Sequence, residues 1–244
     1  MDNDLLLKKR FTELSNRAYL KGFNTFSDFL NIDEISVLKS TNVDIEPILF
    51  GGYNNANRCI SGFGEYIQNS DFPIVCIKIS PLQQKFSDEL THRDFLGALM
   101  NLGINRCTLG DIIIKENTGY LFCLDTISNY IIDNLDKVKH TSIKCEILKN
   151  IPEFMSELPD TQQMLVSSLR IDVIIAKIYN LSRNNVNELF KREKIFINSK
   201  VTTKNSINLK TNDIVSVRGY GKFIYCGIEK ETKKEKFYIN LKVY

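Results

Sequence analysis

The stretch from Ser167 to Asn198 constrains the fold more than any other part of this chain. Residues 169–179 are almost all helix formers or β-branched apolar residues, which predicts a short helix. Ser182 then stands where a helix N-cap is expected, because its hydroxyl can accept a hydrogen bond from a backbone N–H that the helix leaves unsatisfied. We therefore predict two short helices followed by a strand that ends at Asn198.

The predicted second helix has an apolar side and a polar side. Its apolar stripe consists of Val186, Leu189 and Phe190. Its polar stripe recurs every four residues and consists of Arg183, Asn187 and Lys191. Because a helix N-terminus carries partial positive charge and unsatisfied N–H groups, Arg183 beside it indicates a phosphate-binding position.

Charge is distributed unevenly along the chain. Residues 1–72 have seven Lys and Arg against ten Asp and Glu, and residues 73–160 have nine against twelve, so each segment has a net charge of −3. Residues 161–244 have sixteen against seven, a net charge of +9. A basic segment can be no more than a solvated face, but basic side chains around two helices and a strand favour nucleic-acid binding, since they release counterions from phosphates.

We therefore expect structured RNA as the partner, with contacts from the basic and polar residues of the last third. The expected contacts are Arg170, Ser182, Arg183, Asn187, Lys191, Arg192, Lys194, Lys200, Arg218 and Lys222. Arg170 and Arg183 are expected to bind phosphate through charge-assisted hydrogen bonds. Secondary candidates outside this segment are Arg58, Arg93 and Arg106.

The rest of the chain predicts further small α+β domains. Residues 1–71 read as an amphipathic helix followed by short helices and a hairpin. Residues 72–150 read as β-α-β-β-α-β, the order of the split ferredoxin-like unit that many RNA-binding modules share. Residues 151–164 contain two prolines and acidic residues, which indicates a linker, and residues 165–244 form the last domain. We expect the lysines at 233, 234 and 236 to form an exposed hairpin tip.

Composition narrows the class of protein further. No apolar stretch reaches the length of a membrane span and the N-terminus is acidic, so we expect no membrane association and a cytoplasmic protein. The six cysteines form no C-x-x-C pair and there are only two histidines, so we expect buried free thiols, no metal site and no cofactor. The oligomeric state is not determined by the sequence.

The pattern of Arg170-Ile171-Asp172, Ser182-Arg183 and the segment 194–198 resembles the RNA-binding domain named after ribosomal protein S-four, the alpha-L motif. That family usually has glycine in the turn after the second helix, where this chain has Glu193. Glu193 must adopt a left-handed conformation at some energetic cost, or the turn differs.

Two further segments and one motif resemble the bacterial YlmH family. Together they extend the resemblance over essentially the whole chain. They are residues 50–58 (FGGYNNANR), residues 89–112 (ELTHRDFLGALMNLGINRCTLGDI) and residues 217–222 (VRGYGK). The resemblance implies an N-terminal domain, a ferredoxin-like (RRM-like) RNA-binding domain and an S-four-type domain. It also implies a link to the large ribosomal subunit, to tRNA-borne stalled chains in ribosome-associated quality control, and to cell-division genes.

Enzymatic readings fit the sequence less well, so we expect no catalytic residue. His92-Arg93-Asp94 spells a protein-kinase tripeptide but lacks the downstream motifs, which favours a role in helix capping and domain packing. Pseudouridine synthases carry a tripeptide similar to Arg170-Ile171-Asp172, but here it lies inside the binding domain, so Asp172 is expected to orient Arg170 or cap the helix.

We therefore predict a non-enzymatic binder of structured RNA, above all ribosomal RNA of the large subunit with or without tRNA. The alternative is a protein-interaction adaptor linked to cell division, in which the first two domains carry the function. RNA modification is a third, less favoured reading.

Overall fold

The computed structural model describes residues 2–233 and 235–244, apart from the side chains of Asp2 and Phe86. Lys234, one of the three lysines of the expected hairpin tip, lies outside the described residues. The chain divides into two compact units, Met1–Glu157 (unit 1) and Leu158–Tyr244 (unit 2). Helices and antiparallel sheets occur in both, so the fold class is α+β, as predicted.

The first part of unit 1 combines helices with a small sheet. Its elements are α1 (Asp2–Lys21), β1 (Thr25–Phe26), α2 (Ile32–Lys39), β2 (Ile48–Phe50) and β3 (Ile60–Phe63). The predicted hairpin is present but its strands are shorter than expected, and β1 adds a third strand in the order β1-β3-β2. Phe11, Ala18, Ile35, Leu38 and Phe63 are buried together beneath the two helices.

The second part of unit 1 has the predicted β-α-β-β-α-β order, with one additional two-residue strand. Its elements are β4 (Ile74–Pro81), α3 (His92–Asn101), β5 (Leu109–Lys115), β6 (Thr118–Leu124), α4 (Asp125–Asn134), β7 (Lys137–Val138) and β8 (Thr141–Leu148). The sheet order is β5-β6-β4-β8-β7, with every neighbouring pair antiparallel. The expected cap of α3 is present, because Asp94 accepts a hydrogen bond from the Thr91 backbone N–H at 2.8 Å.

Apolar side chains pack against both faces of the five-stranded sheet. One face meets α3 and α4 around Ile77, Phe95 and Leu121. The opposite face meets aromatic side chains from the first part of the unit and from residues 153–155. The Tyr53 ring stacks on Phe122 with centroids 5.0 Å apart. The two parts of unit 1 therefore share one hydrophobic core.

Unit 2 is built on a six-stranded antiparallel sheet with two helices. Its elements are β9 (Thr161–Val166), α5 (Ile171–Ile178), α6 (Arg183–Lys191), β10 (Ile195–Ile197), β11 (Lys200–Val201), β12 (Ile214–Val217), β13 (Gly221–Glu231) and β14 (Phe237–Val243). The strand order is β11-β10-β12-β13-β14-β9. Its core is formed by the apolar sides of both helices and one face of the sheet, including Ile174, Ile175, Val186 and Phe223.

The segment 151–164, expected to be a linker, has regular structure at both ends. Glu153–Met155 form a 3-10 turn whose Met155 side chain is buried in unit 1. Strand β9 starts at Thr161 and pairs with β14 over six residues, from Lys242↔Thr161 to Phe237↔Val166. Polar residues dominate the start of β9 because it is an edge strand with one solvated face, and this composition resembles that of a linker.

The cysteines are all free, as expected, but only Cys76 and Cys123 are buried and the other four are half-buried. Burial raises the pKa of both buried thiols to about 12, so they stay protonated at neutral pH. Among the described residues there is no group of three or more His, Cys, Asp or Glu that could hold a metal ion. A search of the same residues finds no helix with the length and apolar character needed to cross a bilayer.

Replacing Phe122 with alanine should lower the free energy of unfolding of unit 1 by about 3–5 kcal/mol, because a fully buried ring is removed from the core that both parts share. Hydrogen exchange of peptides from β4 to β6 measures the change. Tyr66→Ala is the matched control, since Tyr66 is 83% exposed and its loss should change stability by less than about 0.5 kcal/mol. Equal stability of the two variants would contradict the shared core.

Candidate nucleic-acid interface

Helix α6 begins and packs as the sequence predicts. Ser182 is the N-cap, and its Oγ accepts a hydrogen bond from the Asn185 backbone N–H at 3.2 Å. The predicted apolar stripe is buried and consists of Val186, Leu189 and Phe190. On the opposite side, Arg183 and Lys191 are exposed and Asn187 is half-buried. The cap leaves other first-turn N–H groups available to an anion.

Arg183 lies in a groove that also contains two lysines, which we call the basic groove. Its volume is about 470 Å³, and its polar lining consists of Ser167, Asp172, Lys177, Arg183 and Lys236. Within the described part of the chain, none of its three cations forms an ion pair. Three positive side chains around one groove form a suitable surface for an RNA backbone.

Lys177 and Lys236 are the groove residues that the sequence did not assign as contacts. Lys236 joins the groove because Phe237 pairs with Val166, which brings the start of β14 beside Ser167. That pairing depends on β9, where the sequence indicated a linker. Lys177 could have been predicted from the sequence, because it lies on α5 six residues before Arg183 and therefore near the turn between the helices.

The guanidinium group of Arg170 forms an ion pair with Asp172. Its Nε and Nη2 donate hydrogen bonds to the two carboxylate oxygens of Asp172 at 3.0 and 2.8 Å. Asp172 is 5% exposed, whereas the Arg170 side chain is 44% exposed. The hydrogen bonds and the negative charge raise the pKa of Arg170. Asp172 thus orients Arg170, as one of the two sequence interpretations predicted, and compensates much of the charge that Arg170 would bring to a phosphate.

Lys191 and Arg192 share one carboxylate on α6. Glu188 lies 3.0 Å from the Lys191 Nζ and 3.8 Å from the Arg192 Nε. The hydrogen bond from Lys191 lowers the pKa of Glu188. These pairs are exposed and therefore weak, but they reduce the net charge at this end of α6.

The polar stripe of α6 divides between two grooves. Arg183 lines the basic groove, whereas Asn187 and Lys191 line a second groove of about 610 Å³ together with Thr203 and Asn205. The Asn205 Nδ2 donates to the Asn187 Oδ1 at 3.1 Å. Of the expected RNA contacts, only Arg183 therefore lies in the basic groove.

Three other expected contacts lie together at one end of the unit 2 sheet. The Arg218 N–H donates to the Lys194 carbonyl at 2.9 Å. The Lys222 Nζ lies 4.3 Å from the centroid of the Tyr244 ring. Lys200 lies elsewhere, because it pairs with Ile197 at the far end of β10.

The turn before Lys194 adopts the left-handed alternative. Glu193 has φ +54°, a conformation that costs a non-glycine residue about 1–2 kcal/mol. Its N–H donates to the Phe190 carbonyl at 3.1 Å, and the Lys194 N–H donates to the Leu189 carbonyl at 3.0 Å. These bonds satisfy the last carbonyl groups of α6, which offsets the strain.

The three arginines of unit 1 that were secondary candidates for RNA contact differ in their exposure and hydrogen bonding. The Arg58 guanidinium donates to the carbonyl groups of Phe29 (2.9 Å), Leu109 (2.8 Å) and Arg106 (3.2 Å), and burial lowers its pKa. Arg106 donates to the Leu109 carbonyl at 2.7 Å. The Arg58 side chain thus holds the first part of unit 1 against the five-stranded sheet, whereas the Arg106 side chain bonds within the second part. Arg93 is exposed and lines a groove beside Lys137 and Lys139.

These features define a class: an α+β protein whose last unit is basic and carries a capped helix beside a groove lined by cations. Residues 68–151 match the family model "Putative RNA-binding domain in YlmH". The chain is 30% identical over 223 residues to "Ribosome-associated protein quality control protein P2" of Bacillus subtilis (strain 168), covering 86% of this chain and 84% of that protein. The chain belongs to the YlmH family.

A solved structure, "Cell division protein ylmH from Streptococcus pneumoniae", is also similar. It is 20% identical, the similarity covers 61% of this chain and 92% of that chain, and the TM-score is 0.49.

Replacing Ser182 with alanine should lower the free energy of unfolding of unit 2 by about 1 kcal/mol, because the Asn185 N–H loses its acceptor. Ser182→Asn is the control, since an asparagine side chain also caps, and it should stay within about 0.5 kcal/mol of the wild type. Urea unfolding, with hydrogen exchange of α6 peptides, measures both. Full stability of the alanine variant would mean that the cap does not stabilise α6.

Proposed function

We propose that this protein binds structured RNA through unit 2 and acts, without catalysing a reaction, in ribosome-associated quality control of stalled nascent chains. The support comes from the charge of unit 2, from its basic groove and from the relative whose name places it in that process. The proposed RNA is ribosomal RNA of the large subunit, with or without tRNA, and the proposed location is the cytoplasm.

We further propose three domains: residues 1–71, a ferredoxin-like domain at 72–150, and an S-four-type domain from 165 to 244. The sheet order β8-β4-β6-β5 supports the second, because it is the strand order of the split βαβ unit. The two-helix element α5–α6 followed by the β10–β11 hairpin supports the third.

The observation that carries the proposal is the convergence of Lys177, Arg183 and Lys236 on one groove beside the start of α6. A groove of this kind suits a phosphate backbone, because each cation that neutralises a phosphate releases a counterion. The acids nearby do not cancel it, since the Asp172 carboxylate accepts both hydrogen bonds from Arg170.

The expected contacts remain proposals with different weights. Arg183 is the main phosphate contact, Ser182 presents the helix start, and Arg170 contributes through the part of its guanidinium that Asp172 leaves exposed. Lys191 and Arg192, which share Glu188, supply weaker attraction together with Asn187. Lys194, Arg218 and Lys222 form a separate contact at the end of the sheet, and Lys200 lies apart from it.

Replacing Lys177, Arg183 and Lys236 together with alanine should abolish co-sedimentation with large ribosomal subunits at physiological salt. It should also weaken binding to purified ribosomal RNA, and the slope of log affinity against log salt should fall by about one for each phosphate that the variant no longer neutralises. Affinity measured at several salt concentrations gives the slope.

The matched control replaces Lys8, Lys9 and Lys21, three exposed lysines of α1, because it removes the same charge outside unit 2. Equal affinity and slope in the groove variant and the wild type would exclude the basic groove as the RNA site. Loss of RNA binding in the control alone would transfer the RNA site to unit 1.

A further inference from the structure

A tyrosine ring is displayed at the turn between β12 and β13. The three-residue turn Arg218–Tyr220 follows Val217, which pairs with Gly221, and the Tyr220 N–H donates to the Val217 carbonyl at 2.9 Å. The Tyr220 side chain is 47% exposed. The ring therefore offers an accessible aromatic surface on which a flat ligand can stack.

The two glycines beside Tyr220 fix this geometry. Gly219 and Gly221 have φ +89° and +138°, in the region that favours glycine. A Cβ built at Gly219 meets no atom of the described residues within 4 Å, so the turn is open on this side. A Cβ at Gly221 would lie 3.5 Å from the Tyr179 hydroxyl oxygen, which shows how closely the turn approaches α5.

A second tyrosine supports the displayed ring. The Tyr179 and Tyr220 centroids lie 5.7 Å apart with an interplanar angle of 51°. The Tyr179 hydroxyl is buried without a hydrogen-bond partner among the described residues. Burial raises its pKa to about 12, so this phenol stays neutral and brings no negative charge to the turn.

Cationic residues flank Tyr220 along the chain and through backbone hydrogen bonds. Arg218 is the first residue of the turn, and its N–H bonds to the Lys194 carbonyl at 2.9 Å. Lys222 follows Gly221, and its carbonyl accepts the Tyr244 N–H at 3.0 Å. An aromatic ring flanked by positive side chains is the usual arrangement for binding single-stranded nucleic acid.

We propose that this turn binds an unpaired nucleotide of RNA, with the base stacked on Tyr220 and the neighbouring phosphates bound by Lys194 and Arg218. The site is distinct from the basic groove and adds base stacking to its backbone contacts. The inference rests on the proposed function, because it requires unit 2 to bind RNA. Stacking accepts any base, so the site selects an unpaired nucleotide rather than a sequence.

The test compares two RNA stem-loops that differ only by one unpaired adenosine in the stem. The full-length wild type should bind the bulged RNA more tightly than the paired RNA. Tyr220→Ala should weaken binding of the bulged RNA by about 5- to 100-fold and leave the affinity for the paired RNA unchanged. Tyr220→Phe should bind both RNAs as the wild type does, because it retains the ring.

A second measurement reports stacking directly. With 2-aminopurine at the unpaired position, the wild type and Tyr220→Phe should change its fluorescence on binding, whereas Tyr220→Ala should not. Tyr66→Ala is the control for removing an exposed tyrosine elsewhere, since Tyr66 is 83% exposed in unit 1. Circular dichroism of each variant establishes that it is folded.

The outcomes separate the two proposals. If Tyr220→Ala binds the bulged RNA as tightly as the wild type, or loses affinity for both RNAs equally, the proposal of a stacking site is wrong. The proposal that unit 2 binds RNA would still stand. If the wild type binds neither the stem-loops nor purified ribosomal RNA, the proposed function fails and the inference falls with it. Unchanged RNA binding with loss of a protein partner in Tyr220→Ala would assign the turn to a protein contact and overturn the proposal.

Discussion

The pairing of β9 with β14 determines which cations line the basic groove of unit 2. Six residue pairs join the first strand of the unit to its last, from Lys242↔Thr161 to Phe237↔Val166. The register matters because a shift of one residue would reverse which side chains face the core. With this register, Val166 and Ile239 are buried against α5, and Lys236 reaches the groove in which Arg183 lies. The basic groove is thus a product of two chain segments about seventy residues apart.

Local features of the fold could be predicted from the sequence, because their signals lie within a few residues. The Ser182 cap and the buried stripe of α6 follow from helix periodicity and capping chemistry. The β5–β6 hairpin follows from two apolar runs around a turn, in which Glu116 and Asn117 both have positive φ. Glu193 illustrates a limit, since the sequence left two conformations open and the left-handed one is adopted.

Features that depend on distant pairing or on a competing partner could not be predicted in the same way. Strand β9 is polar and follows prolines, so nothing local distinguishes it from a linker, and Lys236 could not be placed without it. Arg170 was expected to bind phosphate and Lys191 to contact RNA, but Arg170 forms an ion pair with Asp172 and Lys191 with Glu188. A count of cations does not reveal which of them have acidic partners, so net charge alone does not indicate which side chains are available to a phosphate.

The packing of the five-stranded sheet limits how residues 68–151 can meet a nucleic acid. Sheets of the RRM type display aromatic rings to solvent and stack bases on them. In this chain the rings of Phe122 and Tyr120 on strand β6 are contacted by Tyr53 and Phe154. On the same face, Lys78 and Glu146 form a partly exposed ion pair, and the groove beside the helices is lined by Arg93 and Lys139, so these surfaces offer charged side chains rather than flat rings. An RNA bound at these surfaces would be contacted through its sugar–phosphate backbone. Other parts of the protein would then have to distinguish one nucleotide from another.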